Sequence, residues 1–362
     1  MVTRLKIDQA ALILLLILVV VSAACSDPVH VSEPQEVSQL SDRESRSEPG
    51  MSRSNPYPTY ERLSLPGWDL QVLEIYRGDQ ARELMDIEDG PSPSPPPGME
   101  YIVVKLFVQC LHLDEDWHDI AVYELFVTGD RGIAYQDDNL GQPAPELYYE
   151  NFYTAQTMQA WISALVPEDE GNLLLAFEKE AEDGERIMGY IALDEGASIL
   201  IPATLADIAP NEIGKKYSTA APPGESVITE NWKVAVLDSI RGEEALLALQ
   251  EASENNQPLD EGMEYILVKL GIQYLSTQEG GVEIIGNAFF IVDSEKNHRW
   301  APFFLLPRPW TRPWLYVTLY PGASYEGWLV LSAPKGDTEL LLAFIPPNQE
   351  GTGSSRYFTL EP

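Results

Sequence analysis

Side chains able to do chemistry are sparse in this chain of 362 residues, which carries four histidines and two cysteines. His30, His112, His118 and His298 fall in no metalloprotease-type spacing, and no nucleophile elbow, Walker loop or dinucleotide fingerprint occurs in the sequence. His118 is flanked by Asp116 and Asp119, which could orient its imidazole, yet residues 113–119 read as a solvated loop between strands. Asp114, Glu115 and Asp116, and again Asp137, Asp138 and Asn139, offer the hard oxygens that calcium prefers, but neither run has the spacing of a calcium loop. No catalytic residue, metal ligand or cofactor is expected from these positions. The aromatic segments are better candidates. Tyr148, Tyr149 and Tyr153 cluster in one, and Trp310, Trp314 and Tyr316 in another. Pro309 and Pro313 forbid a central strand there, so Trp310 and Trp314 belong on a loop or an edge. Exposed Trp and Tyr can stack on sugar rings or anchor a partner protein. The same rings could instead cover the end of their own domain or fill the contact between the domains.

Charge narrows the partners. Fifty-seven acidic against 23 basic residues give a net charge of −34. A nucleic-acid partner needs a basic face, which the chain lacks. Anionic lipid would be repelled, so attachment to a membrane must be hydrophobic or covalent. The N-terminus supplies that route. Arg4 and Lys6 precede an unbroken apolar run from Ala10 to Val21, followed by Ser22-Ala23-Ala24-Cys25. The run suits a signal peptide and is short of the roughly 20 residues that span a bilayer. The cysteine after two alanines resembles the lipobox of bacterial lipoproteins, with Ser22 where that family usually has an aliphatic residue. The resemblance implies removal of residues 1–24 and diacylglycerol on Cys25. Ser-Ala-Ala also suits ordinary signal peptidase, and an uncleaved segment would act as an anchor. Each route leaves the remaining chain outside the cytoplasm. Residues 25–60 are rich in Ser, Pro, Glu and Arg, and read as a flexible tether.

The elements that must carry these residues are written twice. Gly98-Met99-Glu100-Tyr101-Ile102 recurs as Gly262-Met263-Glu264-Tyr265-Ile266, an offset of 164 that also maps Trp68 onto Trp232 and Arg77-Gly78 onto Arg241-Gly242. Later the offset becomes 167: Trp161 maps onto Trp328, the run 173–177 onto 340–344, and Tyr190 onto Tyr357. Ordered matches at two offsets indicate tandem homologous domains. Their periodicity is two. Ile102, Val104, Leu106, Val108 and Cys110 share one face of a strand, as do Ile266, Val268, Leu270, Ile272 and Tyr274. Cys110 is thereby expected as a small buried hydrophobe. About seven short strands per copy, separated by turns, predict an all-β protein: two tandem antiparallel immunoglobulin-like sandwiches. One short helix is expected in each copy, after Gly78 and after Gly242. The expected boundaries are residues 61–195 for domain 1, 196–224 for a linker and 225–362 for domain 2.

A Trp strand, an Arg-Gly turn, a variable loop and then Gly-Met-Glu-Tyr-Ile-x-Val-Lys-Leu resemble a telokin-like, immunoglobulin-like domain of bacterial lipoproteins and exported proteins. The resemblance covers both copies and implies a sandwich and an extracytoplasmic address; it implies no activity. The expected function is a membrane-anchored, cell-surface binding or structural module without catalysis. The alternatives are an adhesin that contacts a glycan or a cell-envelope protein through its aromatic loops, and a hydrolase built from scattered carboxylates.

Overall fold

Period-two patterning becomes a pair of stacked sheets, repeated. The computed structural model describes residues 48–85, 94–136, 143–181, 184–252, 254–300, 313–347 and 355–360. Copy one holds β1 (Arg62–Leu65), β2 (Trp68–Arg77), α1 (Gly78–Met85), β3 (Met99–Cys110), β4 (His118–Ala121), β5 (Leu125–Thr128), β6 (Tyr149–Phe152), β7 (Thr157–Pro167), β8 (Leu174–Glu180) and β9 (Arg186–Ala192). Copy two holds β10 (Val227–Ile228), β11 (Trp232–Arg241), α2 (Glu243–Ala252), β12 (Met263–Tyr274), β13 (Val282–Ile285), β14 (Phe289–Val292), β15 (His298–Trp300), β16 (Tyr316–Leu319), β17 (Ser324–Pro334), β18 (Leu341–Phe344) and β19 (Arg356–Thr359).

The sheet orders repeat as well. One sheet of copy one runs β1-β2-β3-β7, and the matching sheet of copy two runs β10-β11-β12-β17. The facing strands are β5-β8-β9 with the ribbon β4-β6, and β15-β14-β18-β19 with β13-β16. With β2, β3, β4–β5, β7, β8 and β9 lettered A, B, C, E, F and G, the strands divide into A-B-E and C-F-G, the division of an immunoglobulin sandwich. The strand between C and E, which is β6, pairs with C rather than E. Both structures of the repeat are therefore all-β, with immunoglobulin strand order.

Each core lies between its two sheets. Trp68, Ile102, Val104, Leu106, Val108 and Cys110 meet Ile120, Phe152, Leu175 and Phe177 in copy one. Trp232, Ile266, Val268, Leu270 and Ile272 meet Phe289, Leu342 and Phe344 in copy two. Alternation alone would turn Tyr101 outward, but it is buried on the opposite side of β3, with Val103 and Trp161 beneath Ala81 and Met85 of α1. Tyr265, Leu267 and Trp328 lie likewise beneath α2. The helix is thus a lid on the outer face of the A-B-E sheet, which explains why β3 and β12 begin as continuous apolar runs rather than alternating ones.

The recurring Gly-Met-Glu-Tyr motif also has a structural role. Arg77 Nε donates to Glu100 Oε1 at 3.0 Å, and Arg241 Nε to Glu264 Oε1 at 3.2 Å. The same guanidinium groups reach the Glu170 and Asp337 carbonyls. Each Arg–Glu pair ties the entry of the helix to the turn after the E strand.

Two boundaries differ from the expectation. Residues 48–60, assigned by composition to the tether, are packed. Tyr57 N donates to the Tyr190 carbonyl at 2.8 Å, and Tyr190 N to the Gly50 carbonyl at 2.8 Å, so this segment runs along β9. The expected linker behaves the same way: Ala221 N donates to Tyr357 at 2.9 Å, and Tyr357 N to Gly214 at 2.8 Å, along β19. Gly50 and Gly214, and Tyr57 and Ala221, stand at the offset of 164 already found in the strands. Each copy therefore opens with a lapping segment, near residue 48 and near residue 212. Polar composition concealed it because the bonds it makes come from backbone, not side chains. Cys25, the expected signal peptide and the expected tether up to residue 47 lie outside the described residues. Among the described residues no helix is long and apolar enough to cross a membrane.

The copies are joined through strand-like and ionic contacts. Ala134 N donates to the Thr318 carbonyl at 3.0 Å, and Tyr320 N to Gly132 at 2.8 Å. Arg53, 1% exposed, donates from Nε to Glu279 Oε2 at 3.0 Å and lies 4.7 Å over the Tyr320 ring. Glu178 of copy one accepts from Arg186 and from Gly281 N of copy two. Residues 46–362 form one compact unit.

Candidate functional site

The ribbon β4–β6 of copy one gathers most of the aromatic candidates. Its register pairs His118 with Phe152, Asp119 with Asn151, and Ala121 with Tyr149. Phe152 points into the core at 3% exposure, which turns the alternate positions outward. Tyr149, Asn151 and Tyr153 therefore share the solvent face with Trp117 and Asp119 of the neighbouring strand and its approach. Trp117, Tyr123, Tyr148, Tyr149 and Tyr153 are 55%, 58%, 65%, 44% and 55% exposed. Tyr149 and Tyr153 stand four positions apart, about 13 Å at strand rise. Between the aromatic ends lie the Asp119 carboxylate and the Asn151 amide.

The sequence reading singled out three of these five rings. Trp117 and Tyr123 escaped it because they lie on another stretch of chain, which only strand pairing brings alongside.

A charged cluster underlies the ribbon. Glu124 Oε2 accepts from Ala121 N at 3.0 Å, and Lys179 Nζ donates to Glu124 Oε1 at 2.6 Å and to Asp119 Oδ2 at 3.4 Å. Burial holds the Glu124 carboxyl above the usual carboxylate range, against the pull of Lys179. Burial also disfavours the Lys179 ammonium, but Glu124 and Asp119 outweigh it and raise its pKa. Lys179 fixes Asp119 from below, leaving that carboxylate at the surface as an acceptor. Burial, then the charges of Glu124 and Asp119, raise the Tyr123 phenol as well, so the hydroxyl remains a donor.

The second aromatic segment is used differently. Trp314 is half-buried, packs with Trp328 in the cluster beneath α2, and its carbonyl accepts from the Tyr325 hydroxyl at 2.9 Å. Tyr316 stands at the position equivalent to Tyr149 and is 52% exposed. Trp310 lies outside the described residues, as do Asp137, Asp138 and Asn139. The edge strand β16 that carries Tyr316 is flanked by copy one through the Thr318 and Tyr320 contacts, whereas β6 pairs with β4 alone among the described residues. The two equivalent ribbons have thus diverged. One is a joint between the copies; the other is open and aromatic.

Two of the histidines, from which no site was expected, converge. Rings of His112 and His118 stack with centroids 3.6 Å apart and planes within 7°. His118 Nε2 lies 2.8 Å from Asp114 Oδ1, rather than bonding to the flanking Asp116 or Asp119. The usable signal was His-x-Asp-x-x-x-His, read across a strand end, a loop and a strand start.

No known protein family and no curated protein matches the chain. Among solved structures, an uncharacterized β-sandwich protein from Clostridium difficile 630 aligns at 11% identity over 41% of this chain and 100% of that one, with a TM-score of 0.25. A Geobacillus kaustophilus protein aligns at 8% identity over 78% of this chain and 98% of that one, with a TM-score of 0.09. The class of the chain, an all-β double sandwich, rests on its own strand pairing.

Proposed function

We propose that this protein is an exported, lipid-anchored binding module, without catalysis, whose contact surface is the β4–β6 ribbon of copy one. The ligand is an extended glycan of the cell envelope. The observation that carries this reading is the arrangement of Trp117, Tyr149 and Tyr153 around Asp119 and Asn151 on one outward face. Flat rings supply apolar platforms for sugar faces, and the carboxylate and amide between them accept and donate to hydroxyls. The net charge of −34 suits a neutral glycan better than an acidic one. Anchoring follows from Cys25 in the lipobox-like sequence, and an acyl chain adds about 0.8 kcal/mol per buried methylene. Membership of the telokin-like lipoprotein domains is supported by the A-B-E and C-F-G strand order together with the Arg–Glu pair of each copy.

The test is a glycan array and a cell-wall polysaccharide pull-down with the wild type and with Tyr149→Ala/Tyr153→Ala. Two lost stacking partners at about 0.5–1.5 kcal/mol each predict a 5-fold to 150-fold loss of affinity. The melting temperature should stay put, since both rings are exposed. Capture of an envelope protein with no glycan signal would replace the glycan with a protein partner. Mass spectrometry of the mature N-terminus checks the anchor: acylated Cys25 is expected, and an unmodified Ser26 or Met1 overturns it.

A further inference from the structure

We infer that His112, Asp114 and His118 form a binding site for a divalent transition-metal ion of the zinc class, independent of the glycan reading. One ligand atom from each lies within 4.8 Å of the other two. Around a tetrahedral zinc with bonds near 2.1 Å, ligand atoms stand about 3.4 Å apart, so a small contraction closes the set. Two imidazoles and a carboxylate favour borderline metals; calcium takes oxygen ligands alone.

The site is supported on every side. His112 follows Cys110, the last residue of β3, and its ring meets the edge of Trp68 at 5.9 Å. Gly67, at φ +80, makes room for it: a Cβ there would come 2.2 Å from His112 Nε2. His118 is the first residue of β4, held by pairing to Phe152. The loop between them is closed by Asp116 N donating to Asp114 Oδ1 at 3.1 Å and by the Thr154 hydroxyl donating to the Asp114 carbonyl at 2.7 Å. Binding turns one of the two stacked imidazoles toward the other, so that a nitrogen of each reaches the ion. Three protein ligands leave a coordination position open to water or to an oxygen of a ligand on the adjacent ribbon. Copy two lacks the site: Tyr274 and Val282 stand where Cys110 and His118 stand, and Ser276 where His112 stands.

The experiment is calorimetric titration of the full-length protein with zinc alone, then with calcium alone. One site of micromolar or tighter affinity for zinc is expected, with none for calcium. His118→Asn should weaken zinc at least 30-fold, and His112→Gln, which keeps a polar side chain of similar length beside Trp68, should do the same. His298→Gln, in copy two, should leave binding unchanged. Thermal scans of each variant without metal separate lost ligation from lost folding, and a variant that melts early is replaced by Asp114→Asn, whose side chain is exposed. Absence of zinc binding, binding indifferent to these substitutions, or equal affinity for calcium would overturn the site.

Discussion

Removing Glu279 probes the joint between the copies directly. Arg53 is 1% exposed, and the Glu279 carboxylate accepts from its Nε at 3.0 Å. Tyr320, fully buried, supports the guanidinium from its ring face at 4.7 Å. Glu279→Ala leaves a cation without its counter-charge where water does not reach it. Breaking a buried pair in this way costs about 3–5 kcal/mol, far above the 0–1 kcal/mol of an exposed pair. With a urea slope of about 3 kcal/mol/M, the midpoint should fall by at least about 1 M. Arg53 belongs to the lapping segment of copy one and Glu279 to copy two, so the loss should also uncouple the two sandwiches. Tryptophan fluorescence during urea titration would then show two transitions in place of one. The double variant Arg53→Met/Glu279→Leu removes both charges and should recover most of the lost stability. A midpoint shift below about 0.3 M for Glu279→Ala would refute the reasoning, because it would mean that Arg53 is hydrated and residues 48–60 are not packed on the fold.

Three further outcomes follow from other parts of the molecule. Arg77→Ala and Arg241→Ala should each destabilise by about 1–3 kcal/mol, since both guanidinium groups bond to the equivalent glutamate and to the equivalent turn carbonyl; urea midpoints check the correspondence. Asp293 is held below the usual carboxylate range because bonds from Asn297 and Arg299 outweigh its burial; Asp337 is held low first by Ser294 N. Both carboxylates therefore contribute stability that is present above about pH 4 and lost as the pH falls through their lowered values, so Asp293→Asn should flatten the acid side of the stability profile below about pH 4. Cys110 is fully buried in the core, so its thiol should resist an aromatic disulfide reagent in the native protein and react within the time of unfolding in urea.

Much of the fold was legible in the residues, for identifiable reasons. The duplicated Gly-Met-Glu-Tyr run and the two tryptophans at 68 and 232 carry packing and ion pairing that recur in both copies, so the same side chains had to recur. The three-residue change of offset falls between β5 and β6, in the stretch where copy two adds β15. The lapping segments were missed because their bonds come from backbone amides and leave little side-chain pattern; Gly50 and Gly214, both at positive φ, were the readable trace. Alternation placed Cys110 correctly but not Tyr101, because a strand can be covered on its second face by a helix that is distant in the pairing pattern. The candidate site was legible only within single stretches of chain. Tyr148, Tyr149 and Tyr153 are neighbours in sequence, whereas Trp117 and Tyr123 join them through cross-strand register; the histidine pair lies on one short stretch, but its spacing matches no familiar motif. Trp314 illustrates the converse: a proline-rich loop need not expose its tryptophan.

The lapping of each opening segment along the last strand of its own copy has a bearing on how such molecules tolerate crowding. A bare final strand is a template on which a neighbouring chain can build, and proteins concentrated on a surface meet neighbours constantly. Here residues 50–57 and 214–221 already occupy those two borders, and β16 is occupied by copy one. Three borders are thus filled from within the chain, whereas among the described residues the tyrosine-bearing rim of β6 has no further strand beside it.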